Sequence, residues 1–460
     1  MKEKTKKIGL FGAVLMAIGC IIGSGLFGSF PTGIALCGTG LIWALVIALI
    51  RQFVMFVPNV AAGNVLPAPS ANYMHAAKLI GPINGFLQTM NGLLNITTVS
   101  LLATVFALYA SSLEIFANVP IKWLAIASIF IFTVVSSFGS KATEWMQNAI
   151  VIILLSTLVL YIVKGFPAMS TEYVTFEQIV APQTTLKKLF AAAAVMGACM
   201  QGGEILMNFT SEIEKPRRTI PLAFTISTII VAILCILIAI VTLGTYPAAE
   251  LTALSDAAAN FMSPAMLTFF VIGGACFACL STVNSVLLSC AHILSVSAEE
   301  KIFPQFMSKR NKYDVPIVSL WIVGGGAILV CLLGLDVFTL MTAFTPISTL
   351  IVLGRLVPPF IISRRYPNTF KTNFFKLNKT AMDIITILAI ILTLIANVSL
   401  ISELTLTNNL IMLALLVVFY GYCGIRVLYL KKKGVDLVAE MRTPYPEWEK
   451  TEQELAAKAE

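Results

Sequence analysis

The chain has 460 residues, of which 58% are hydrophobic and only 12% are charged, about half the charged fraction of an ordinary soluble domain. A mean hydropathy of +0.90 leaves room for about twelve membrane-crossing helices of roughly 20 residues each, which excludes a soluble domain. The net charge of +8 could indicate nucleic-acid binding in a soluble protein, but in a membrane protein it requires only basic cytoplasmic loops.

Twelve apolar stretches are predicted to cross the membrane as helices. The first stretch is too long for a signal-peptide core and no small-residue cleavage site follows it, so we expect it to remain as the first span. In chain order the stretches are 8–30, 36–63, 81–109, 121–138, 143–163, 189–210, 220–243, 263–296, 315–334, 338–362, 381–401 and 409–430.

The basic residues are distributed unevenly between the two sides of the membrane. With the N-terminus inside, 25 of the 31 lysines and arginines fall in cytoplasmic segments and four fall outside, while Arg51 and Arg355 fall within spans. The positive-inside rule therefore predicts a multi-pass protein of the cell membrane, plasma or inner, with both termini in the cytoplasm. The lipid bilayer is an expected partner, and nucleic acid is not.

All nine cysteines lie in apolar stretches, where a structural disulfide is not expected. Cys276 and Cys279 form a C-x-x-C pair, but neither a second pair nor a nearby histidine accompanies them. The cysteines are therefore interpreted as small packing residues, and we predict no metal site and no cofactor.

Two glycine-rich segments interrupt apolar stretches at corresponding places, Gly19 to Gly25 in the first and Gly197 to Glu204 in the sixth. Opening a helix in hydrocarbon strands backbone N–H and C=O groups at several kcal/mol each, so a break of this kind needs a purpose. Glycines that only allow close helix packing are the alternative. The paired breaks favour two inverted repeats of five helices with a substrate site between them.

The predicted organisation follows from these stretches and from one long polar connection after the fifth. A polar C-terminal tail containing Pro444 and Pro446 is expected to be a loose appendage. The segments are a cytoplasmic N-terminal tail at 1–7, a first five-helix repeat at 8–164, an extracellular connection at 165–188, a second inverted repeat at 189–362, helices 11 and 12 with the preceding loop at 363–430, and the cytoplasmic C-terminal tail at 431–460.

Several motifs lie at or near these segments. The first span contains Ile-Gly-Ser-Gly-Leu-Phe at 22–27, Glu-Ile-Glu-Lys-Pro-Arg-Arg-Thr-Ile-Pro follows the sixth at 212–221, and Ser-Thr-Val-Asn-Ser stands at 281–285. On these motifs the chain resembles the amino acid, polyamine and organocation transporter superfamily over about residues 8 to 365. The resemblance implies an all-α integral membrane protein of twelve transmembrane helices. In this 5+5 inverted-repeat (LeuT-like) fold two extra helices follow the repeats, and helices 1 and 6 are discontinuous.

The chain also departs from the pattern of that superfamily. Ala61 replaces a glutamate, Leu154 aligns with a lysine that some members use in proton coupling, and His292 replaces an arginine. These departures leave the fold and the general activity in place, but they leave the choice between proton and sodium coupling open.

A substrate site is predicted at the two breaks. Unpaired N–H groups around Ile22, Gly23, Ser24 and Gly25 lie at a half-helix N-terminus and suit a carboxylate, and the resemblance implies the same role. Carbonyls around Ala198, Cys199 and Met200, next to Gly202 and Gly203, suit an ammonium group. An α-amino acid could therefore be held at both ends.

Glu204 is the acidic residue placed deepest within a span, and it could carry a proton, pair with a cationic substrate or serve a structural ion pair. Arg51 is expected to snorkel towards the cytoplasm, with a gating role as the alternative. Ser281 and Thr282 could contribute to a sodium site, but hydroxyls in membrane helices more often bond to backbone; Asn284 is a further cavity candidate.

The predicted function is secondary-active transport of amino acids by alternating access, as proton-linked symport or as exchange. The alternative is an antiporter of basic amino acids or polyamines, with Glu204 as countercharge. The expected partners are a small-molecule substrate, an amino acid or amine, and a proton or counter-substrate. An enzyme would need paired carboxylates or a metal set, and a channel would need a filter or charge rings; the sequence indicates none of these.

Overall fold

The computed structural model describes residues 7–23, 25–111, 113, 115–210, 212–248, 250–334, 337–402 and 405–458. Regular structure in these ranges is helical, and its β-content is a single isolated bridge between Ile8 and Ile213. The predicted all-α class is therefore confirmed.

The first half of the chain forms nine α-helices. They are α1 (Leu10–Ile22), α2 (Gly25–Cys37), α3 (Leu41–Val65), α4 (Ala71–His75), α5 (Pro82–Ser111), α6 (Ile121–Ser136), α7 (Ser140–Gly165), α8 (Phe176–Val180) and α9 (Leu186–Met196). Short 3₁₀ segments lie at Gly38–Gly40, Phe166–Ala168, Gly197–Met200 and Gly203–Phe209, and a π-helical turn spans Ala76–Ile80.

The second half forms twelve further α-helices. They are α10 (Pro216–Thr245), α11 (Leu254–Ala259), α12 (Pro264–Phe270), α13 (Phe277–Glu299), α14 (Ile317–Leu333), α15 (Val337–Leu356), α16 (Pro358–Arg365), α17 (Pro367–Phe370), α18 (Lys379–Ser402), α19 (Leu406–Lys432), α20 (Leu437–Arg442) and α21 (Pro446–Ala457). A π-helical segment at Val271–Cys276 joins α12 to α13, and a 3₁₀ turn spans Gln305–Ser308.

Within the described ranges, eight helical stretches are long and apolar enough to cross a membrane. Two shorter apolar helices, α6 and α14, coincide with the predicted fourth and ninth spans. The predicted sixth span is not one helix, because α9 is only 11 residues long and 3₁₀ segments continue it. The chain is a multi-pass helical membrane protein, while the count of twelve spans and the inverted repeat stay predictions.

Burial separates a central helix from the lipid-facing ones. In the most apolar 18-residue window of the stretch Leu10–Phe27, which includes α1, 82% is buried, whereas in that of α19 only 11% is buried. The exposed side chains of α19 include Val417, Val418 and Ile425, which suit hydrocarbon. Hydrocarbon offers no hydrogen-bond partners, so a lipid-facing helix must pair all its backbone N–H and C=O groups internally. An interrupted helix is therefore tolerated only at the centre of the bundle, where α1 lies.

The segment that precedes α1 is bonded to the segment that follows the sixth span. The Ile8 N–H donates to the Glu212 carbonyl at 2.8 Å, and the Glu214 N–H donates to the Ile8 carbonyl at 2.9 Å. This short parallel pairing holds the start of the first span beside the end of the sixth.

The expectation of a loose C-terminal tail is wrong. Helices α20 and α21 dock at the ends of the membrane helices, where the Trp448 indole is 2% exposed and its Nε1 donates to the Pro67 carbonyl at 3.2 Å. The indole ring lies 5.4 Å from the His75 ring, and Met441 is fully buried. Two large apolar side chains are enough to anchor this segment, although its average composition is polar.

Charged groups reinforce the docking of the tail. Glu440 pairs with Lys301 at 2.7 Å, and Lys78 pairs with Glu300 at 2.6 Å while donating to the Glu440 carbonyl at 3.0 Å. The Glu452 carboxylate accepts the backbone N–H of Thr369 at 2.7 Å, near the start of α17. The tail thereby joins the ends of several membrane helices.

Replacing Trp448 by alanine should release the tail, because the change removes a buried indole worth about 3 kcal/mol. That loss corresponds to an about hundredfold larger population of the open tail. Trypsin cleavage after Arg442 measures it, since the cleavage rate follows the open population. Glu454→Ala on the exposed face of α21 is the control, and equal cleavage of both variants would contradict the docked tail.

The docked tail covers His75, and this buried histidine predicts that the stability of the folded state depends on pH. Burial, opposed in part by a hydrogen bond with the Leu66 carbonyl, lowers the pKa of His75 to about 4. The folded state therefore binds fewer protons than the unfolded state between about pH 4 and 6.5, and stability falls as the pH falls through that window.

Lowering the pH from 7 to 5 should remove on the order of 2 kcal/mol of stability through His75. Thermal unfolding of the detergent-solubilised protein at both pH values measures this. His75→Gln should flatten the difference because it removes the titration, and an unchanged difference in that variant would assign the pH effect to other groups.

Candidate functional site

The first membrane span is interrupted at its centre. Helix α1 ends at Ile22, Gly23 takes φ 38° and ψ −150°, and α2 begins at Gly25. The Gly23 N–H reaches the Gly19 carbonyl at 3.4 Å, the last bond of α1. Ser24, a predicted contact of the substrate carboxylate, lies outside the described residues.

The sixth span is interrupted in the same way. Helix α9 ends at Met196, a 3₁₀ turn carries Ala198, Cys199 and Met200, and Gly202 takes φ 125° before a second 3₁₀ segment begins at Gly203. Such a positive φ is strained for a residue with a side chain, so glycine is required here. Cys199 and Met200 are fully buried, whereas Gln201 is exposed and Gly202 is partly exposed, so the break borders space that a small molecule can reach.

The two interruptions contact each other directly. A Cβ atom on Gly202 would lie 2.7 Å from the Cys20 carbonyl oxygen, so the absence of a side chain allows backbone to meet backbone. On the other side, the Cys199 thiol donates to the Gly25 carbonyl at 3.2 Å. Residues that are about 180 positions apart in the chain are therefore in contact.

Two hydroxyls of α13 bind the last turn of α1. Ser281 and Thr282 donate to the Gly19 carbonyl at 2.9 and 3.1 Å, and each also reaches the Ala278 carbonyl of its own helix. This is the backbone-bonding alternative of the sequence prediction, and it satisfies a carbonyl next to the break. The two hydroxyls fix the position of α1 against α13.

Glu204 turns back onto the break that precedes it. Its Oε2 accepts the Gly202 N–H at 2.9 Å, in the manner of a helix N-terminal cap. The ion pairs found in the described ranges do not include Glu204. A carboxylate with one backbone donor is only partly compensated within a membrane, so a second electrostatic partner is needed.

That partner is Arg355 on α15, which lies within electrostatic reach of Glu204. The Arg355 Nε donates to the Gln88 carbonyl oxygen at 3.1 Å, and the Gln88 amide donates to the Ile351 carbonyl at 2.7 Å. Arg355 is therefore held by an amide of α5.

Arg51 also differs from its predicted position. The expectation that it snorkels to the cytoplasm is wrong, because its guanidinium contacts Gly197 at the end of α9. The missing Cβ of Gly197 provides room for that contact. A guanidinium at the negative end of a helix dipole is stabilised, which is why the side chain turns inward towards the break.

Asn284 lies in a buried polar cluster between α7 and α13. Its amide donates to the Gln147 carbonyl oxygen at 2.8 Å, and the Ser136 hydroxyl reaches the Asn284 carbonyl oxygen at 3.5 Å. The Gln147 amide nitrogen is buried next to Gly19 and is without a described partner. Gln147 is missing from the site predicted from sequence, although the Gln147-Asn148 pair in an apolar span was the available signal.

A cavity adjoins this cluster. Its volume is about 510 Å³, which counts both the gaps between atoms and the open solvent. On its wall, Nε2 of His292 lies 2.8 Å from Oε1 of Glu212. The lining residues are Ile8, Gly12, Met16, Thr143, Glu144, Gln147, Asn148, Phe209, Glu212, Asn284, Leu288, His292, Asp314, Val315 and Pro316. Three of them are carboxylic acids, so this wall has an acidic character.

A bundle of apolar helices with two broken helices meeting at its centre defines a multi-pass membrane transporter. The chain belongs to the amino acid permease family, whose model matches residues 8–421. The resemblance to the amino acid, polyamine and organocation superfamily is thereby confirmed.

Three relatives illustrate the spread of the family. A protein of Methanocaldococcus jannaschii without an assigned function is 28% identical over 323 residues, 67% of this chain and 72% of that protein. A transporter of Mycobacterium tuberculosis is 21% identical over 327 residues, covering 70% of this chain and 72% of that one. The human cystine/glutamate transporter is 27% identical over 322 residues, 66% of this chain and 63% of that transporter.

Solved structures of a manganese transporter from Eremococcus coleocola share the fold. One of them matches with a TM-score of 0.57 at 14% identity, over 94% of both chains. At this level of identity the likeness supports a common helix arrangement and says nothing of the substrate.

Replacing Gly202 by alanine should destabilise the protein by about 2 kcal/mol or more, because a Cβ there meets the Cys20 carbonyl and φ is positive. The midpoint of thermal unfolding in detergent measures the loss. Gly421→Ala on α19 is the matched control, since nothing lies within 4 Å of a Cβ at that position. Equal midpoints for the two variants would show that the breaks do not meet as described.

Proposed function

We propose that the protein is a secondary-active transporter that moves amino acids across the cell membrane by alternating access. The observation that carries this proposal is the direct contact between two broken helices at the centre of the bundle, through Gly202 and Cys20. Exposed backbone at mid-membrane is costly, and a site for a polar substrate is its main use. The family membership supports the same assignment.

An α-amino acid fits the polarity of the two breaks. The N-terminal end of α2 begins at Gly25 and presents unpaired N–H groups with the positive end of a helix dipole, which favours a carboxylate. The 3₁₀ turn at Gly197–Met200 ends at Gln201 without a continuing helix, which frees carbonyls for an ammonium group. Ile22 and Gly203 would complete the two rims of this site.

The membrane arrangement belongs to the same proposal. We place both termini in the cytoplasm, and we divide the chain into repeats at 8–164 and 189–362 with the connection 165–188 outside. Helices α18 and α19 would be the two extra spans. The placement of lysines and arginines and the position of the two breaks support this division.

For coupling we propose proton-linked symport or exchange, with Glu204 as the group that exchanges a proton. Its carboxylate lies at the break, is partly exposed, and is stabilised by the Gly202 N–H and by Arg355. A sodium site is less well supported, because Ser281 and Thr282 direct their hydroxyls to the Gly19 and Ala278 carbonyls.

An antiporter of basic amino acids or polyamines is the second candidate, and the acidic wall of the cavity beside Asn284 favours it. It would need Glu204 as a free countercharge in the site. Because that carboxylate already accepts the Gly202 N–H and lies near Arg355, neutral or acidic amino acids are the better proposal.

Glu204→Gln should abolish uptake driven by a pH gradient while leaving exchange of amino acids within about twofold, because the amide keeps the shape and loses the titration. The measurement uses proteoliposomes of the full chain with radiolabelled L-alanine, L-glutamate or L-lysine outside. One set carries an imposed pH gradient, and the other carries trapped unlabelled amino acid. Glu447→Gln on the exposed tail is the control.

The other outcomes are equally definite. Selective loss of lysine uptake would make Glu204 the countercharge of a basic substrate and favour the second candidate. Unchanged transport in both sets would give Glu204 a structural role. If wild-type protein exchanged none of the three amino acids, the proposed function would fail.

A further inference from the structure

We infer that Arg51 is the subsite for a carboxylate on the substrate side chain, so that the transported amino acid is acidic. This inference rests on the proposed function and names the substrate class for the same site. The basis is the charge balance at the centre of the bundle, together with the position of the Arg51 guanidinium.

Three ionised side chains lie deep in the spans within the described ranges: Arg51, Glu204 and Arg355. Glu204 is compensated by the Gly202 N–H and by its proximity to Arg355. Arg51 has no hydrogen bond or ion pair with any described residue. The centre of the membrane therefore carries one uncompensated positive charge, which costs several kcal/mol unless an anion joins it.

The end of α9 does not remove this charge. The negative end of a helix dipole is equivalent to about half an elementary charge, so it stabilises a guanidinium without neutralising it. Gly197 lets the Arg51 side chain reach that helix end, and the residue itself is only partly buried. A partly buried guanidinium beside the break can bind a carboxylate with two N–H groups.

The outer approach to the site is compatible with an anion. An outer cavity between α2 and α9 has a volume of about 1310 Å³, which counts both the gaps between atoms and the open solvent. The charged residue that lines it is Lys188. The remaining polar lining consists of amides and hydroxyls from Thr39, Gln178, Gln183, Thr184 and Thr185. Described carboxylates are absent from this wall, so an acidic substrate meets attraction and no repulsion there.

The test is counterflow in proteoliposomes of the full chain, with labelled L-glutamate outside and unlabelled L-glutamate, L-glutamine or L-lysine trapped inside. L-Glutamine has the shape of glutamate without the charge. We expect wild-type protein to exchange glutamate at least about tenfold faster than glutamine or lysine.

Arg51→Gln should slow glutamate exchange at least about tenfold and change glutamine exchange, measured with labelled glutamine, by less than about threefold. Arg51→Lys should recover part of the glutamate exchange because it restores the charge without the planar fork. Arg364→Gln, at an exposed arginine paired with Asp383, is the matched control. Retained glutamine exchange shows that the Arg51 variants are folded.

Each other result overturns the inference. Wild-type protein that prefers glutamine or lysine would leave the proposed function intact and remove the acidic substrate. If the preference for glutamate survives Arg51→Gln, Arg51 does not bind the substrate, and its role is limited to the interaction with the dipole of α9. Wild-type protein that exchanges none of these amino acids would contradict the proposed function itself.

Discussion

The contact between Gly202 and the Cys20 carbonyl is the constraint on which the rest of the centre depends. Two backbones can approach this closely only where one residue lacks a side chain, and the approach leaves peptide groups outside any helix. In hydrocarbon those groups have no water, so neighbouring side chains must supply the missing bonds. The carboxylate of Glu204 on the Gly202 N–H is such a replacement, and the hydroxyls of Ser281 and Thr282 supplement the long Gly23 N–H bond to the Gly19 carbonyl.

The same constraint explains why charged groups lie at the breaks and are rare elsewhere in the spans. An open backbone carries partial charges at its helix ends, and these stabilise an ionised side chain that apolar surroundings would not. Arg51 meets the end of α9, and Glu204 meets the N–H of Gly202 at the start of the following segment. The charges are therefore consequences of the broken helices, and the breaks are the primary feature.

The sequence predicts these breaks because glycine clusters in a long apolar run have few other uses, and it predicts helices because hydrocarbon permits little else. It does not predict where Arg51 points. Snorkelling depends on depth along one helix, whereas the observed position depends on room beside Gly197, about 146 residues later in the chain. Contacts between distant segments of this kind are absent from a hydropathy pattern.

The prediction of a loose C-terminal tail is wrong for a different reason. Composition averaged over residues 431–460 is polar, and averaging conceals that Leu437, Met441 and Trp448 bury their side chains. These three residues provide buried apolar contact, and the surrounding polar groups pair with Lys78, Lys301 and the start of α17. A segment can therefore dock on a protein that already has a core, even when it could not form a core of its own.

These contacts also determine what must change if the centre opens to the cytoplasm in the proposed alternating-access cycle. The pairing of Ile8 with the backbone around Ile213 joins the first and sixth spans, so their inner ends move together. The Glu212 to His292 contact, in contrast, joins that unit to α13 and has to separate. Both partners line the cavity beside Asn284, where water can replace the contact that is lost. We expect opening to cost little free energy there because the wall is polar, while the backbone contact between Gly202 and Cys20 keeps the two halves of the site in register.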